Sequence, residues 1–371
     1  MKDDTKINTR LQSLDALRGF DMFFIMGGDA LFLCLGTLLP GSLFEKCGAQ
    51  MLHVAWDGFA FEDLIFPLFL FLAGVSFPFS LSKQRSLGCS DSRIILRIVR
   101  RGIMLIFLGM IYNGFLQFDF ENLRYASVLG RIGAAWMFAA LLYMWLGWRR
   151  CILLSVVILL GYWALLVFVT APDANGASGL SMEGSVVGYV DRMLLPGRLH
   201  NTIHDPEGLL STLPAIVTAM LGIFTGKFIM SGKRFSGYER AGALVCVSLL
   251  LIALGLLWNF LLPINKNLWS SSFVCLASGL SMGLFALFYF IVDVLQWRRW
   301  AFFFKVVGMN SITIYLAQQF FDFGKPAKAF FGGLISLFPD SWYSVLYWLA
   351  YIAVCWMFLY FLYKHKIFLK V

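Results

Sequence analysis

Charge is scarce in this chain. Only 14% of its 371 residues are Asp, Glu, Lys or Arg, and only four are His, whereas a soluble domain carries about 25% charged residues. That shortage excludes an ordinary soluble globule. Metal-ligand spacing is also missing from the seven cysteines. Cys34, Cys151, Cys246, Cys275 and Cys355 lie in or beside apolar runs, where a thiol behaves as a small hydrophobe, and nothing in their pattern suggests a disulfide framework or a zinc site. No low-complexity segment, clear internal repeat or removable leader stands out. The first apolar run carries Asp21 and Asp29 and continues past leader length, so it reads as an uncleaved span.

Hydrocarbon is abundant instead. The chain is 60% hydrophobic and holds 38 Phe and 12 Trp. A helix needs about 20 mostly apolar residues to cross a bilayer. Such windows recur at 16–38, 62–81, 94–116, 126–146, 152–170, 209–230, 241–262, 268–295, 301–320 and 342–363. The pattern predicts an all-α, polytopic membrane protein with about ten transmembrane helices, forming one domain over 1–371. A shorter run, 329–338, reads as interfacial. The net charge of +9 would suit a nucleic-acid partner, but its cations fall in the gaps between apolar runs. Loops 2–18, 83–101, 149–150, 227–240, 298–305 and 364–370 hold nearly every dense Lys/Arg cluster. The positive-inside rule places them, with both termini, in the cytosol. Residues 1–15 are then a cytosolic tail, and 41–61 and 171–208 are the long outer loops.

Ionisable groups inside a bilayer cost at least about 2.5–3.5 kcal/mol each, so they are functional candidates. In the first span Asp15 and Arg18 are spaced to pair on one helix face. Arg18 and Asp29 are close to three full turns apart, roughly 16 Å along the axis, which would put both on one wall. Gly27 and Gly28 beside Asp29 allow close approach. His53, in the outer loop, has Asp57 at i+4, within reach if the segment is helical. A histidine there can take a proton from an amine or hydroxyl, or carry an acyl group; the plain alternative is a solvated loop residue. His200 and His204 lie beside Asp205 and Glu207, but "HNTIHDPEG" is poor ligand spacing, and Asp205 reads as a cap for a helix starting near Pro206. Arg131 sits a few residues inside the fourth span. Asn265, Lys266, Asn267 and Trp269 form an outer corner in which an indole beside amides suits a sugar, or an interfacial belt. Asn310 and Ser311 lie inside the ninth span and read as helix–helix glue. Arg93, Arg97, Arg100 and Arg101 form a basic stripe suited to lipid phosphates or to a polyphosphate nucleotide.

Six blocks in order carry a family likeness: "RLQSLDALRGFDMFF"; "LHVAWDGFAFEDLIFPLFLFLAGVSF"; "VLGRIG"; "GYVDRMLL" with "DPEGLLSTLPAIVTAMLGIFTGK"; "INKNLWSSSFV"; and "FFKVVGMNSITIYL". From Arg10 to about Leu316 the chain resembles the heparan-alpha-glucosaminide N-acetyltransferase family, in a bacterial-type form without the lumenal amino-terminal region of animal members. The resemblance implies transfer of acetyl from cytosolic acetyl-CoA, as co-substrate, to a glucosamine-type acceptor across the membrane. It places the active-site His of the "H-x-x-W" block on His53. The companion position, Asn in the family, is Asp29 here, and Asp57 also stands where animal enzymes have Asn. On this reading Arg10, Arg18, Arg97, Arg101 and Asn310 hold the donor, and Asp29 orients the imidazole. The acceptor meets Asp57, Arg131, Asp205, Glu207, Asn267 and Trp269. Implied partners are the acyl donor, a saccharide, membrane lipids and a second copy of the chain, with no metal and no nucleic acid. The implied location is a bacterial inner membrane. Two alternatives remain: a transporter of a sugar or glycan precursor, and an O-acetyltransferase of a surface glycan.

Overall fold

The computed structural model describes residues 11–231 and 235–369. The described chain is helical, with two isolated β-bridges. The helices in order are α1 (Gln12–Phe23), α2 (Asp29–Leu38), α3 (Leu43–Ala49), α4 (Glu62–Ser86), α5 (Asp91–Tyr112), α6 (Val128–Phe168) and α7 (Val186–Leu194). They continue as α8 (Thr212–Ile229), α9 (Gly237–Trp258), α10 (Ser271–Phe288), α11 (Phe302–Met309), α12 (Ser311–Phe320), α13 (Gly324–Ile335) and α14 (Tyr343–Lys364). Among the described residues, seven helical stretches are long and apolar enough to cross a membrane. The chain is a polytopic integral membrane protein.

Three local features separate those seven from the ten expected windows. Helix α5 carries Arg93, Arg97, Arg100 and Arg101. The window 301–320 is broken at Asn310, leaving α11 and α12 with 8 and 10 residues, each too short to cross alone. Helix α6 has 41 residues, roughly 60 Å at 1.5 Å per residue, about twice a hydrocarbon core. It turns at Gly147, where φ is 71°, so its two arms correspond to the windows 126–146 and 152–170. The short run at 329–338 overlaps α13.

Helix α4 runs through the middle of the bundle, with Phe71 wholly buried among side chains that include Phe273 and Phe285 of α10. Between helices in lipid, close packing replaces the hydrophobic drive. At Gly19 and Gly308 a Cβ would strike the carbonyls of Phe304 and Asp15, so α1 and α11 cross backbone to backbone. Between α1 and α2 the chain makes a π-helical turn, Phe24–Gly28, with Gly27 at φ 111°. This break overturns the expected common face of Arg18 and Asp29, because three regular turns no longer separate them. The bare Cα of Gly27 faces the rings of Trp348 and Tyr351 on α14.

The loops before α4, after α6 and between α9 and α10 are tied to one another. Gly58 N donates to Ile264 O at 2.8 Å, Trp56 Nε1 to Leu180 O at 2.8 Å, and Asn265 Nδ2 to Asp57 Oδ1 at 3.1 Å. Bridges of Arg124 with Gly197 and of Thr170 with Ser185 fix the 171–208 segment. These ties give a polar roof over the end of the bundle where α4 begins.

Candidate functional site: an imidazole over a cavity in the bundle

Residues 51–61 are irregular, not helical, so His53 does not meet Asp57 as an i+4 pair. Its partner is Asp63, in the first turn of α4. Nδ1 of His53 lies 2.8 Å from Asp63 Oδ1. A carboxylate can only accept, so Nδ1–H donates to it and Nε2 is the ring nitrogen left for a substrate. Ala60 N donates to the other Asp63 oxygen at 3.0 Å, and Lys266 Nζ lies 3.4 Å from Oδ1. Asp63 is 1% exposed and His53 56%: a buried carboxylate holds an accessible ring. Lys266 Nζ is 3.2 Å from Nδ1 and 3.4 Å from Nε2, so a cation sits beside the imidazole. Among the described residues Asp29 makes no hydrogen bond to the ring. Its Oδ1 accepts from Ala30 N at 2.6 Å, although its charge is close enough to act on His53 and Glu62.

His53, Glu62, Glu207 and Lys266 rim a cavity of about 220 Å³ whose depth is apolar. Phe69, Leu129, Ile132 and Ile312 line it and also line a second cavity, of about 60 Å³. The two are therefore back to back. The smaller one contains Arg18 and Arg101. Arg101 lies over the Trp136 ring, 4.5 Å from its centre, and its buried Nε has no hydrogen-bond partner. Arg18 donates from Nη2 to Leu72 O at 3.3 Å. Arg18 and Arg101 lie within each other's field, and the unpartnered Nε of Arg101 can donate to an anion there.

The remaining expected site residues divide. Glu207 reaches the His53 cavity. Asp205 is wholly buried and accepts from Arg124 Nε at 2.8 Å and Nη2 at 2.6 Å, and from Glu207 N at 2.9 Å and His200 N at 3.1 Å. Asp205 does not cap a helix at Pro206, since α8 starts at Thr212. Burial raises the Asp205 pKa, but the Arg124 fork outweighs it and holds the carboxyl below its usual range. The same contacts, with Glu207, raise Arg124 against the opposing effect of burial. Trp269 is 1% exposed, with Arg131 5.0 Å over its ring and Nε1 donating to Thr218 Oγ1 at 3.3 Å. It is a core indole and cannot serve as an open sugar platform. Arg131 is likewise buried and donates from Nη2 to Gly208 O at 3.1 Å and to Ser211 Oγ. Asn267 Nδ2 donates to Ala55 O at 3.4 Å. Asn310 is buried at the junction of α11 and α12 and donates to Ile367 O at 3.2 Å. Arg97 is exposed and bonds Gln84 Oε1 at 2.8 Å. Arg10 lies outside the described residues.

His204 donates from Nε2 to Asn267 O at 3.1 Å, and burial pushes its pKa down to about 4. It ties the 171–208 loop to the 265–269 corner as a neutral ring. Beneath it, burial pushes Asp191 up to about 7, while Asp191 Oδ1 accepts from Leu209 N at 2.8 Å. Among the described residues no three His, Cys, Asp or Glu side chains converge as metal ligands. Three assignments escaped the sequence reading: Asp63 as the partner of His53, Lys266 as its neighbour, and Arg124. Arg124 had one signal, as the sole cation between Arg101 and Arg131.

Comparison with known proteins agrees with the likeness carried by the six blocks. A family model described as a domain of unknown function, DUF5009, matches residues 10–115. Human heparan-alpha-glucosaminide N-acetyltransferase is 28% identical over 370 residues, covering 84% of this chain and 53% of that protein. The mouse protein of the same name is 29% identical over 374 residues, covering 85% and 55%. The chain thus spans about half the length of the curated relatives it matches. At the level of the family, and over most of its own length, this chain is similar to the heparan-alpha-glucosaminide N-acetyltransferases.

Proposed function

We propose that this single membrane domain is an acetyltransferase. It moves acetyl from acetyl-CoA, entering at the Arg18 and Arg101 end, to a saccharide amine or hydroxyl at the His53 end. The two cavities that share four apolar walls are the observation that carries this reading. The similarity to N-acetyltransferases supports the reaction class. The space beside Arg18 and Arg101 is about 60 Å³, roughly two water volumes, so the nucleotide stays at the mouth and the pantetheine arm enters only as the shared walls part. The buried, unpartnered Nε of Arg101 fits a donor bearing phosphate or amide oxygens. The concentration of Lys and Arg in the loops at that end favours a cytosolic mouth, and only the acetyl group changes sides.

At the other end, His53 Nε2 takes the proton as the acceptor nitrogen or oxygen forms its bond to the thioester carbonyl carbon. The carbon–sulfur bond then breaks, and the imidazolium returns the proton to the departing thiolate. In the alternative route Nε2 itself carries the acetyl before the acceptor arrives. In both, Asp63 fixes the ring and balances the imidazolium, as in a serine-protease triad. Lys266 supplies positive charge where the oxyanion develops.

Arg101→Ala is expected to weaken acetyl-CoA about tenfold or more, the worth of one hydrogen bond to a charged group, and to leave acceptor affinity within twofold. Equilibrium binding of each substrate in micelles reads this; equal weakening of both would contradict the assignment. Asp29→Asn is expected to keep turnover within about threefold, since the Asp63 contact holds the ring. Inactivity of a folded Asp29→Asn protein would give Asp29 the larger role.

The interrupted spans at Gly27 and Asn310 also suit a sugar transporter. Labelled acetyl-CoA and amino sugars given to the purified protein decide between the two. Acetylated sugar, or acetyl on His53, supports transfer; solute flux in liposomes without acyl-CoA supports transport.

A further inference from the structure

We propose that an amphipathic pocket at the far end of α4 from His53 binds an anionic phospholipid, with the phosphate on Arg85 and Lys227 and the acyl chains on an apolar wall. The pocket has a volume of about 620 Å³, against about 220 Å³ for the His53 cavity, and lies within the roughly 300–1,000 Å³ usual for ligand sites. It forms where the last turns of α4 and α8 meet the bend in α6. Tyr143 reaches it from the arm of α6 before Gly147, and Ile152 from the arm after it. It shares no lining residue with the His53 cavity or with the cavity of Arg18 and Arg101. Phe77 stands between, its ring centre 5.9 Å from that of Trp136, which lines the Arg101 cavity, and 6.1 Å from that of Tyr143. The pocket is thus separate from the proposed route of acetyl.

The lining is divided in kind. Leu81, Ile152, Phe224, Phe228 and Met230 make an apolar wall, while Arg85, Lys227, Ser82 and Ser231 bring cations and hydroxyls. Among the described residues no acidic side chain lines it. Lys227 Nζ lies 5.1 Å from the centre of the Trp148 ring and 5.8 Å from that of Tyr143. Arg149 lies 5.4 Å over the Trp148 ring, so ring faces hold these cations. Arg85 pairs with Asp91 at 3.1 Å, but the two side chains are 52% and 64% exposed. A pair so open to water is weak and leaves the guanidinium able to turn to a phosphate. A ligand that answers both halves is anionic at one end and apolar at the other. An indole such as Trp148 suits the boundary of headgroup and hydrocarbon, and basic pockets between membrane helices take anionic headgroups. Inorganic phosphate or a nucleotide would satisfy the cations and leave the apolar wall uncovered. A zwitterionic lipid would cover the wall but set its own cation near Arg85 and Lys227. An anionic phospholipid does both, and it packs against both arms of α6 at their bend.

The test titrates the purified full chain, in lipid-free detergent micelles, with phosphatidylglycerol and with phosphatidylcholine of the same acyl chains. Phosphatidylglycerol is expected to bind about tenfold tighter or more, since each Lys or Arg near a membrane surface contributes about fivefold toward an anionic lipid. It should also raise the unfolding midpoint more than phosphatidylcholine does, because a ligand of the folded state stabilises it. In the double variant Arg85→Gln, Lys227→Gln the two lipids are expected to bind equally, with phosphatidylcholine affinity unchanged. Should that variant fail to fold, Lys227→Gln alone is expected to cut the preference for phosphatidylglycerol about fivefold. Equal affinity of the wild type for both lipids, or a preference that survives the substitutions undiminished, would overturn the proposal. So would displacement of phosphatidylglycerol by inorganic phosphate or CoA at equal concentration, which would assign the pocket to a soluble phosphate ligand.

Discussion

His53→Ala is expected to lower acetyl transfer by about a thousandfold or more, because an acid–base group contributes about 10²–10⁴ and a lost nucleophile no less. Acetyl-CoA affinity should stay within twofold. The donor's charged end is assigned to Arg18 and Arg101, which lie in the other cavity, behind Phe69, Leu129, Ile132 and Ile312. Folding should also survive. The ring is 56% exposed, and Asp63 keeps its contacts with Lys266 and Ala60 N when the ring is gone. Single-turnover transfer alongside donor binding reads both quantities. Turnover within tenfold of wild type would remove His53 from the chemistry.

Arg124→Ala is expected to cost about 3–5 kcal/mol, the penalty for breaking a buried ion pair from one side. Asp205 and Glu207, 0% and 8% exposed, would keep their charges without a counter-ion. The unfolding midpoint in micelles should fall by roughly 6 °C or more; a fall under 1 °C would show that water reaches these carboxylates. The sign with pH is defined. Arg124 depresses the Asp205 pKa, so its contribution is fully present above the ordinary carboxylate range and fades as pH falls through the lowered value. The deficit of Arg124→Ala should therefore shrink in acid. The roof over the site should loosen as well, because Asp205 also holds His200 N and Glu207 N.

The membrane helices were legible because apolar runs of bilayer length recur between short basic gaps. The break near Gly147 was legible too, in the basic gap at 149–150. Nothing in hydropathy marks Gly27 as the point where α1 loses its register, since that depends on a positive φ. His53 stood out through its rarity and its "H-x-x-W" setting. Its partner did not, because the i+4 rule selects Asp57 only if 51–61 is helical; as an irregular loop the segment brings in Asp63, ten residues away. Trp269 illustrates the other limit. An indole beside Asn and Lys reads as a surface corner, yet Arg131 and Thr218 give it a buried place that depends on side chains from α6 and α8.

The most direct measurement is the position of sulfur in an experimental structure with a non-hydrolysable thioether analogue of acetyl-CoA. The expected result places phosphate or pantetheine oxygens on Arg18 and Arg101, with the carbonyl carbon about 3–3.5 Å from His53 Nε2 or from an acceptor atom hydrogen-bonded to Nε2, the approach needed for reaction. An analogue bound with its sulfur beyond the shared wall, and that wall closed, would contradict the passage of acetyl through the bundle.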